Sequence, residues 1–330
     1  MKDLSVVIVT HNGWKRLKNC LNSLNAFKKE LFSIEVIVVD NFSGSEIYDI
    51  ENSYPEFRFI HNQVNGGFAN GCNLGARHAS GEFLLFLNPD TVVIENEVWR
   101  LLQAARLNPY FYLVACRQVN ESGKESRTIG HFPSLWNLSG IQRSLRKAFK
   151  SKKPDITVNG VLFPDWVAGS VMMIKRELFK NINCFDEDFW MYYEDVDLCR
   201  RIADTGGKIA YLRDITIEHN HGGSSRANLM VASITKTEVL ISQHVYVSKH
   251  FAGPGKFLAQ LYLLLNNLVA GLFTALFGIV FFFIPKLHTN TLIFFRLMSY
   301  YAGAMKRMTW VSARAIKVKN SGQTDHSWQV

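Results

Sequence analysis

The chain has 330 residues, 48% apolar and 20% charged, which excludes a disordered polymer and exceeds what one simple core usually fills. Lysine and arginine number 37 against 28 acids, a net charge of +9 that favours an anionic partner: nucleic acid, a phosphorylated small molecule or an acidic membrane face. The five cysteines (Cys20, Cys72, Cys116, Cys184 and Cys199) are widely spaced, odd in number and without a CxxC pair. Neither a disulfide framework nor a structural zinc site is expected, and a reducing compartment is.

Residues 4–9 (LSVVIV) form a β-branched run too short for a signal-peptide core, so they read as a strand buried on both faces and no export signal is expected. A helix is predicted over 14–27, with Leu17, Leu21 and Leu24 on one stripe. Next come a strand at 34–39, a short helix near 45–53, a strand at 57–61, a helix over 69–79 and a strand at 82–87. This rhythm predicts parallel βαβ units, in which ligands gather beyond the carboxyl ends of the strands. Residues 118–160 lack it. They hold Arg143, Arg146, Lys147, Lys150, Lys152 and Lys153, with Leu138, Ile141, Leu145 and Phe149 at helical spacing. That segment reads either as a solvated surface helix or as a helix lying on an anionic membrane. Regular structure resumes at 166–174 and 193–217, and a mixed helix is predicted over 233–251.

Residues 257–284 contain no charge in 28 positions, enough to cross a bilayer. Beyond them lie Lys286, Arg296, Lys306, Arg307, Arg314, Lys317 and Lys319 against Asp325. A single crossing would export that cationic tail, against the positive-inside tendency. A hairpin broken near Asn266–Asn267 or Gly271, or a second crossing through 292–305, would keep both ends cytoplasmic.

Four stations carry chemistry. Strand 4–9 ends in Thr10-His11-Asn12 and the next in Asp40-Asn41; a carboxylate there can accept the imide N–H of a pyrimidine base or form a turn. Asn65-Gly66-Gly67-Phe68-Ala69-Asn70-Gly71-Cys72-Asn73-Leu74-Gly75 leads into a helix as an anion cradle or as a plain loop; it is neither a P-loop nor a dinucleotide fingerprint. Asn88-Pro89-Asp90 follows a buried strand, as a turn or as one carboxylate for a cation that diphosphate oxygens and water complete. Residues 185–201 (FDEDFWMYYEDVDLCRR) place Trp190, Tyr192, Tyr193 and Glu194 beside Asp195 at a helix start, with Val196, Cys199 and Ala203 inward. Stacking faces beside carboxylates suit a sugar, although capping alone explains one of the acids. A strand at 215–218 then delivers His219, ahead of Gly222, Ser224 and Ser225.

Taken in order, THN, VVDN, NGGFANGCNLG, LNPDT, WVAGS, FDEDFWMYYEDVDLCRR and HNHGGSS resemble the family 2 glycosyltransferases, nearest the rhamnosyltransferase-like members that build bacterial surface polysaccharides such as O-antigen. The resemblance spans roughly residues 3–250. It implies an α/β GT-A fold: one mostly parallel central sheet flanked by helices, with a Rossmann-like nucleotide-binding half at 1–117, a basic insert at 118–160, an acceptor half at 161–232, a connecting helix at 233–250 and a membrane-associating helical region at 251–330. It implies that Thr10, Asn12 and Asp40 hold the base, with Asn65, Gly66, Gly67 and Asn73 near ribose and pyrophosphate. Asp90 would be the surviving metal-binding acid of the DxD motif, whose first acid is here Asn88, and His219 would help it hold Mg²⁺ or Mn²⁺. Trp166, Gly169, Ser170, Trp190, Tyr192, Tyr193 and Glu194 would border the sugars, and Asp195 would be the base of an inverting transfer. A helix N-terminus stabilises a carboxylate as the anion, so Asp195 is expected to be a weak base.

The expected donor is a dTDP- or UDP-sugar, a deoxysugar such as L-rhamnose being favoured. The expected acceptor is a lipid-linked oligosaccharide, met at the cytoplasmic face of the inner membrane. The rivals are a catalytically silent nucleotide-sugar-binding membrane adaptor and a sugar nucleotidyltransferase, which would normally need a cationic glycine loop after the first strand. A nucleic-acid partner is not expected, because the excess charge clusters beside the apolar C-terminal segment and in one insert.

Overall fold

The structure, a computed structural model, describes residues 2–138, 157, 158, 160–220 and 228–316. The basic cluster from Arg143 to Lys153, Gly222, Ser224, Ser225 and the residues from Lys317 onward lie outside the described residues.

The first half of the chain runs β1 (Leu4–Thr10), α1 (Trp14–Asn25), β2 (Ile34–Asp40), α2 (Glu46–Ser53), β3 (Arg58–His61), α3 (Gly67–Arg77), β4 (Phe83–Leu87), β5 (Thr91–Val92), α4 (Glu95–Leu107) and β6 (Phe111–Val119). The second half runs β7 (Ile129–Gly130), α5 (Leu135–Leu138), β8 (Thr157–Val158), β9 (Val161–Leu162), β10 (Trp166–Val167), β11 (Val171–Lys175), α6 (Arg176–Asn181), α7 (Glu194–Asp204) and β12 (Lys208–His219). Three long helices follow: α8 (Leu229–His250), α9 (Gly253–Val280) and α10 (Pro285–Arg307).

β7 and β10 pair antiparallel in a separate ribbon, and the other ten strands form one sheet in the order β3-β2-β1-β4-β11-β6-β12-β9-β8, with β5 paired to β12. It is parallel from β3 to β4 and again between β6 and β12, while β11 runs antiparallel between β4 and β6. β1 sits between β2 and β4 under helices on both faces, which is why all seven of its residues are buried and none alternates with a polar one on an open face. Leu4, Val6 and Ile8 meet α1, α2 and α4 through Leu17, Leu21, Ile47, Val98 and Leu101. Val7 and Val9 point the other way, toward α3, α6 and α7 through Ala69, Cys72, Phe179, Leu198 and Ile202. Ile202, not the expected Ala203, closes the inward face of α7.

Gly71 and Gly75 belong to this second core. A Cβ on either would lie 2.6 or 2.4 Å from Val9 or Val7, so they let α3 sit close on the sheet.

A third apolar cluster joins α8 and α10 to the segment before α7, through Phe189, Val196, Ile241, Val245, Tyr246, Leu297 and Tyr301. A cut at residue 250 would therefore divide a shared core. α9 runs unbroken through Asn266, Asn267 and Gly271, and the chain reverses only at residues 281–284, ten or more residues beyond the expected break. The reason is the direction of Asn267: it faces inward and donates to Tyr301 Oη of α10 at 3.0 Å, so its polarity is satisfied without breaking α9.

Candidate active site

The first three parallel strands end together. Thr10 and Asp40 are register partners on β1 and β2, and Asn88 and Asp90 follow β4, two strand spacings (about 10 Å) from β2. That is the span of a nucleoside diphosphate.

At the β2 end the Asp40 carboxylate is buried; it accepts from Ser43 N at 3.1 Å and lies 3.3 Å from His61 Nδ1. His61 Nε2 is 3.0 Å from Glu51, so this imidazole bridges two carboxylates. Thr10 is buried, and its hydroxyl has no hydrogen-bond partner among the described residues. Asn12 is exposed in a left-handed conformation and accepts from Gly44 N at 3.0 Å, tying the loops after β1 and β2 together.

The glycine-rich turn differs from an anion cradle. Gly66 N donates to Asn41 Oδ1, Gly67 N to Asn65 Oδ1 and Phe68 N to Trp190 O, so the amides that would face an anion are already used. Gly67 has φ +84°, and a Cβ there would fall 1.8 Å from Trp190 O; the glycine admits the tryptophan backbone. Asn73 is likewise committed: it donates to Phe185 O and Glu187 Oε1 and accepts from Phe185 N. The expected donor contacts Gly66, Gly67 and Asn73 are therefore ties between α3, Asn41 and the segment before α7.

Asp90 and His219 meet because β12 pairs with β5, placing His219 opposite Thr91. Asp90 Oδ1 is 3.0 Å from His219 Nε2, and the Asn88 amide nitrogen is 3.4 Å from the same nitrogen. His219 Nδ1 lies 2.7 Å from Gln118 Oε1, which also accepts from Ser170 Oγ at 2.8 Å. A carbonyl oxygen accepts only, so Nδ1 carries a proton; Nε2 faces a carboxylate that also only accepts, so it donates to Asp90 and would turn a lone pair that way only with a cation between them. A carboxylate oxygen and an imidazole nitrogen side by side, the ring oriented by an outer amide, fit a divalent cation. No third His, Cys, Asp or Glu joins them among the described residues, so phosphate and water oxygens would complete the shell. Arg16 stands beside them, with Nη1 3.4 Å from Asp90 Oδ2 and a bond to Asn220 O.

Asp195 lies in the first turn of α7, partly exposed, after two consecutive left-handed residues, Tyr192 and Tyr193 (φ 70° and 68°). Such a pair is held only where the surroundings over-determine it. Asp195 Oδ2 accepts from Gly169 N at 2.9 Å and Oδ1 from Val196 N at 2.8 Å. Ser170, the next residue after Gly169, accepts Asn88 N through its carbonyl and contacts Gln118 through its hydroxyl. One continuous line thus joins Asp195 to Gly169, Ser170, Gln118, His219 and Asp90. Burial raises the Asp195 carboxyl above its ordinary value, and the amide bonds from Gly169 and Val196 only partly oppose it. The helix N-terminus therefore does not leave Asp195 the weak base expected from its position.

Around it, Glu194 is buried with one oxygen unpartnered among the described residues, and burial together with the charge of Asp195 pushes it well up. Its charge adds to the burial that raises the Cys72 thiol. Trp190 is also buried: its Nε1 donates to Asn65 O, and the Arg314 guanidinium lies 5.3 Å over its ring. The open aromatic surface is left to Tyr192, to Tyr193, which packs on Tyr246, and to Trp166, which donates to His131 O.

A profile described as Glycosyl transferase family 2 matches residues 5–197, more than half of the chain. The chain belongs to glycosyl transferase family 2. It is similar to the rhamnosyltransferase WbbL of Escherichia coli (strain K12), 26% identical over 63% of this chain and 79% of that one. It is also similar to the N-acetylglucosaminyl-diphospho-decaprenol L-rhamnosyltransferase of Mycobacterium tuberculosis, 25% identical over 67% and 77%. Among solved structures, GalNAc-T7 with UDP, GalNAc and Mn²⁺ superposes with a TM-score of 0.52 at 19% identity, over 76% of this chain and 50% of that one, a likeness of fold. The enzyme is thus a GT-A glycosyltransferase of the rhamnosyltransferase-like kind.

Three residues of the glycosyltransferase site escape sequence reasoning. Gln118 is a polar side chain at a buried phase of a largely apolar strand, which is a readable signal. Arg16 has none, and Arg314 reaches Trp190 only through the return of the chain after α10.

Proposed function

We propose that this glycosyltransferase moves a sugar, L-rhamnose or a related deoxysugar, from a dTDP- or UDP-sugar to a hydroxyl of a lipid-linked saccharide, with inversion. The work is done at the cytoplasmic face of a bacterial inner membrane during surface-polysaccharide assembly. The observation that carries this reading is the line of contacts from Asp195 to Asp90 across the ends of the strands.

Asp40 at the β2 end suits the base, with Asn12 and Asn65 on the adjoining loops. Asp90 and His219, with Asn88 beside them, would hold Mg²⁺ or Mn²⁺, which when bound neutralises charge on the departing diphosphate. Arg16 adds a fixed cation on the same side. Asp195 takes the proton from the acceptor hydroxyl as that oxygen attacks the anomeric carbon from the face opposite the diphosphate. Gly169 N holds the carboxylate in place, and burial keeps it basic enough to accept a proton in the transition state. Tyr192, Tyr193 and Trp166 offer flat faces for the sugars.

Rhamnose is supported by the activities of the two relatives, both rhamnosyltransferases, and a lipid diphosphate acceptor by the mycobacterial one. α9, long and apolar enough for a bilayer by length and composition, supports work at a membrane. The purified chain is to be offered UDP-, dTDP- and GDP-sugars with and without Mn²⁺, with a polyprenyl-diphosphate saccharide as acceptor. Transfer from dTDP-rhamnose is expected. Slow donor hydrolysis without acceptor separates an enzyme from a silent adaptor, and the absence of both reactions for every donor would overturn the reading.

A further inference from the structure

We propose that α9 is a monotopic anchor, lying in the plane of one lipid leaflet with its outer stripe in the acyl region and never crossing the bilayer. This rests on the membrane reading above and gives it a geometry.

α9 is built inside out. Its inward face is mostly small or polar: Ala259, Gln260, Asn267, Ala275 and Gly278 are buried against α8 and α10, with Leu263 the one large apolar side chain among them. Gln260 Oε1 lies 2.6 Å from His244 Nδ1, and Gln260 Nε2 donates to His244 O at 2.8 Å. Asn267 donates to Tyr301 Oη, and Thr291 Oγ1 to Ala275 O. A Cβ on Gly278 would stand 2.3 Å from Leu287 O, so α9 and α10 meet backbone to backbone. The outward face is the apolar one. Phe257, Leu261, Leu265, Val269, Phe273 and Phe277 recur every fourth residue, each between 38% and 67% exposed, and wind about 200° across the outward half of the helix. They make a charge-free stripe about 30 Å long, continued by the turn Phe281, Phe282, Phe283 and Ile284. Polar groups inward and phenylalanines outward is the arrangement of an element whose solvent is hydrocarbon.

A crossing does not fit these contacts. To stand across the bilayer away from α8, α9 would have to break the paired contacts between Gln260 and His244. The return leg would carry Lys286, His288, Asn290 and Arg296 into hydrocarbon, where each cation is costly. Lying flat, the stripe needs only the depth of an interfacial helix, and Lys256 and Lys286 at its two ends reach anionic headgroups. The same lysines disfavour a second copy as the occupant. Stripe against stripe would set Lys256 beside either the partner's Lys256 or the partner's Lys286.

The test uses the full chain and sealed vesicles of phosphatidylcholine with phosphatidylglycerol. Flotation with the vesicles is expected, and Phe273→Ser with Phe277→Ser is expected to weaken it at least tenfold without lowering the melting temperature, because both side chains face outward. All five native cysteines are buried, so Phe283→Cys and Lys286→Cys are clean reporters for a membrane-impermeant maleimide. Lys286→Cys is expected to react with reagent added outside, and Phe283→Cys only after detergent. Labelling of Lys286→Cys by reagent trapped in the lumen would overturn the proposal. So would failure to float with a stable dimer in light scattering. Donor hydrolysis without lipid reports the glycosyltransferase reading separately: flotation lost with hydrolysis intact removes only this proposal.

Discussion

The carboxyl group of half-buried Asp195 stands in the first turn of α7, where burial raises it against the amide bonds from Gly169 and Val196. Two outcomes follow at this residue. Asp195→Asn is expected to bind donor as before, measured by titration calorimetry, while turnover falls ~10²–10⁴-fold, the usual worth of a positioned base. In the wild type the acidic limb of the pH–rate profile is expected above 3.8, because activity is lost as pH falls through a raised carboxyl value. Gln118 acts one contact further out. It fixes the proton on His219 Nδ1 and holds Ser170 at the same time. Gln118→Leu is expected to raise the Mn²⁺ concentration for half-maximal turnover by about 10–100-fold, the usual effect of losing an outer partner of a metal-binding histidine. An unchanged Mn²⁺ dependence would show that His219 needs no such orientation.

At the scale of elements, the segment after α10 acts as a strap. Trp310 stacks on His244 at 4.7 Å, Ser312 donates to Glu238, and Arg314 lies between Glu238 and the face of Trp190. Trp190 in turn anchors the turn 65–68 through Asn65 O and Phe68 N. Arg314→Ala is expected to raise the donor KM ~3–10-fold with kcat little changed, and Arg314→Lys to restore part of it, since lysine keeps the charge but not the flat stack. Glu238 is almost fully buried on α8, which pushes its carboxyl up to about 7 against the pull of Ser312 and Arg314. A carboxyl raised on folding contributes its stability fully below its unfolded value near 4.5 and loses it as pH rises to about 7. Glu238→Gln, which stays neutral, is therefore expected to raise the melting temperature at pH 8, by up to about 3 kcal/mol of stability, and to change little at pH 4.

At the scale of the whole molecule, the helices after β12 share a core with the catalytic half. A chain ended at residue 251 would expose Ile241, Val245 and Tyr246 to water and would leave His244 without Gln260 and Tyr301. It is expected to aggregate or melt well below the full chain even in the absence of lipid. A truncation of equal stability would mean that the hairpin is merely appended. Membrane attachment is therefore better probed at the outer stripe than by deletion.

What the sequence determined by itself is what depends on local repetition and on the identity of single side chains. The β-branched runs at 4–9, 34–39 and 82–87 become strands because burial on both faces requires continuous apolar residues, and the order of the motifs reveals the family. Asp90, Asp195 and His219 stand out because a carboxylate or imidazole next to the end of an apolar strand or helix has few structural reasons to be there. Tertiary structure alone decided the rest, because it turns on which distant groups compete for one donor or acceptor. The glycine turn has its amides taken by Asn41, Asn65 and Trp190, and Asp195 gains basicity from burial that no dipole argument contains. Gln118 becomes part of the site only when β6, β11 and β12 align. The 28 uncharged residues at 257–284 read alike as a crossing or as a hairpin, because composition is silent about direction; only the fold shows that Gln260 and Asn267 turn inward.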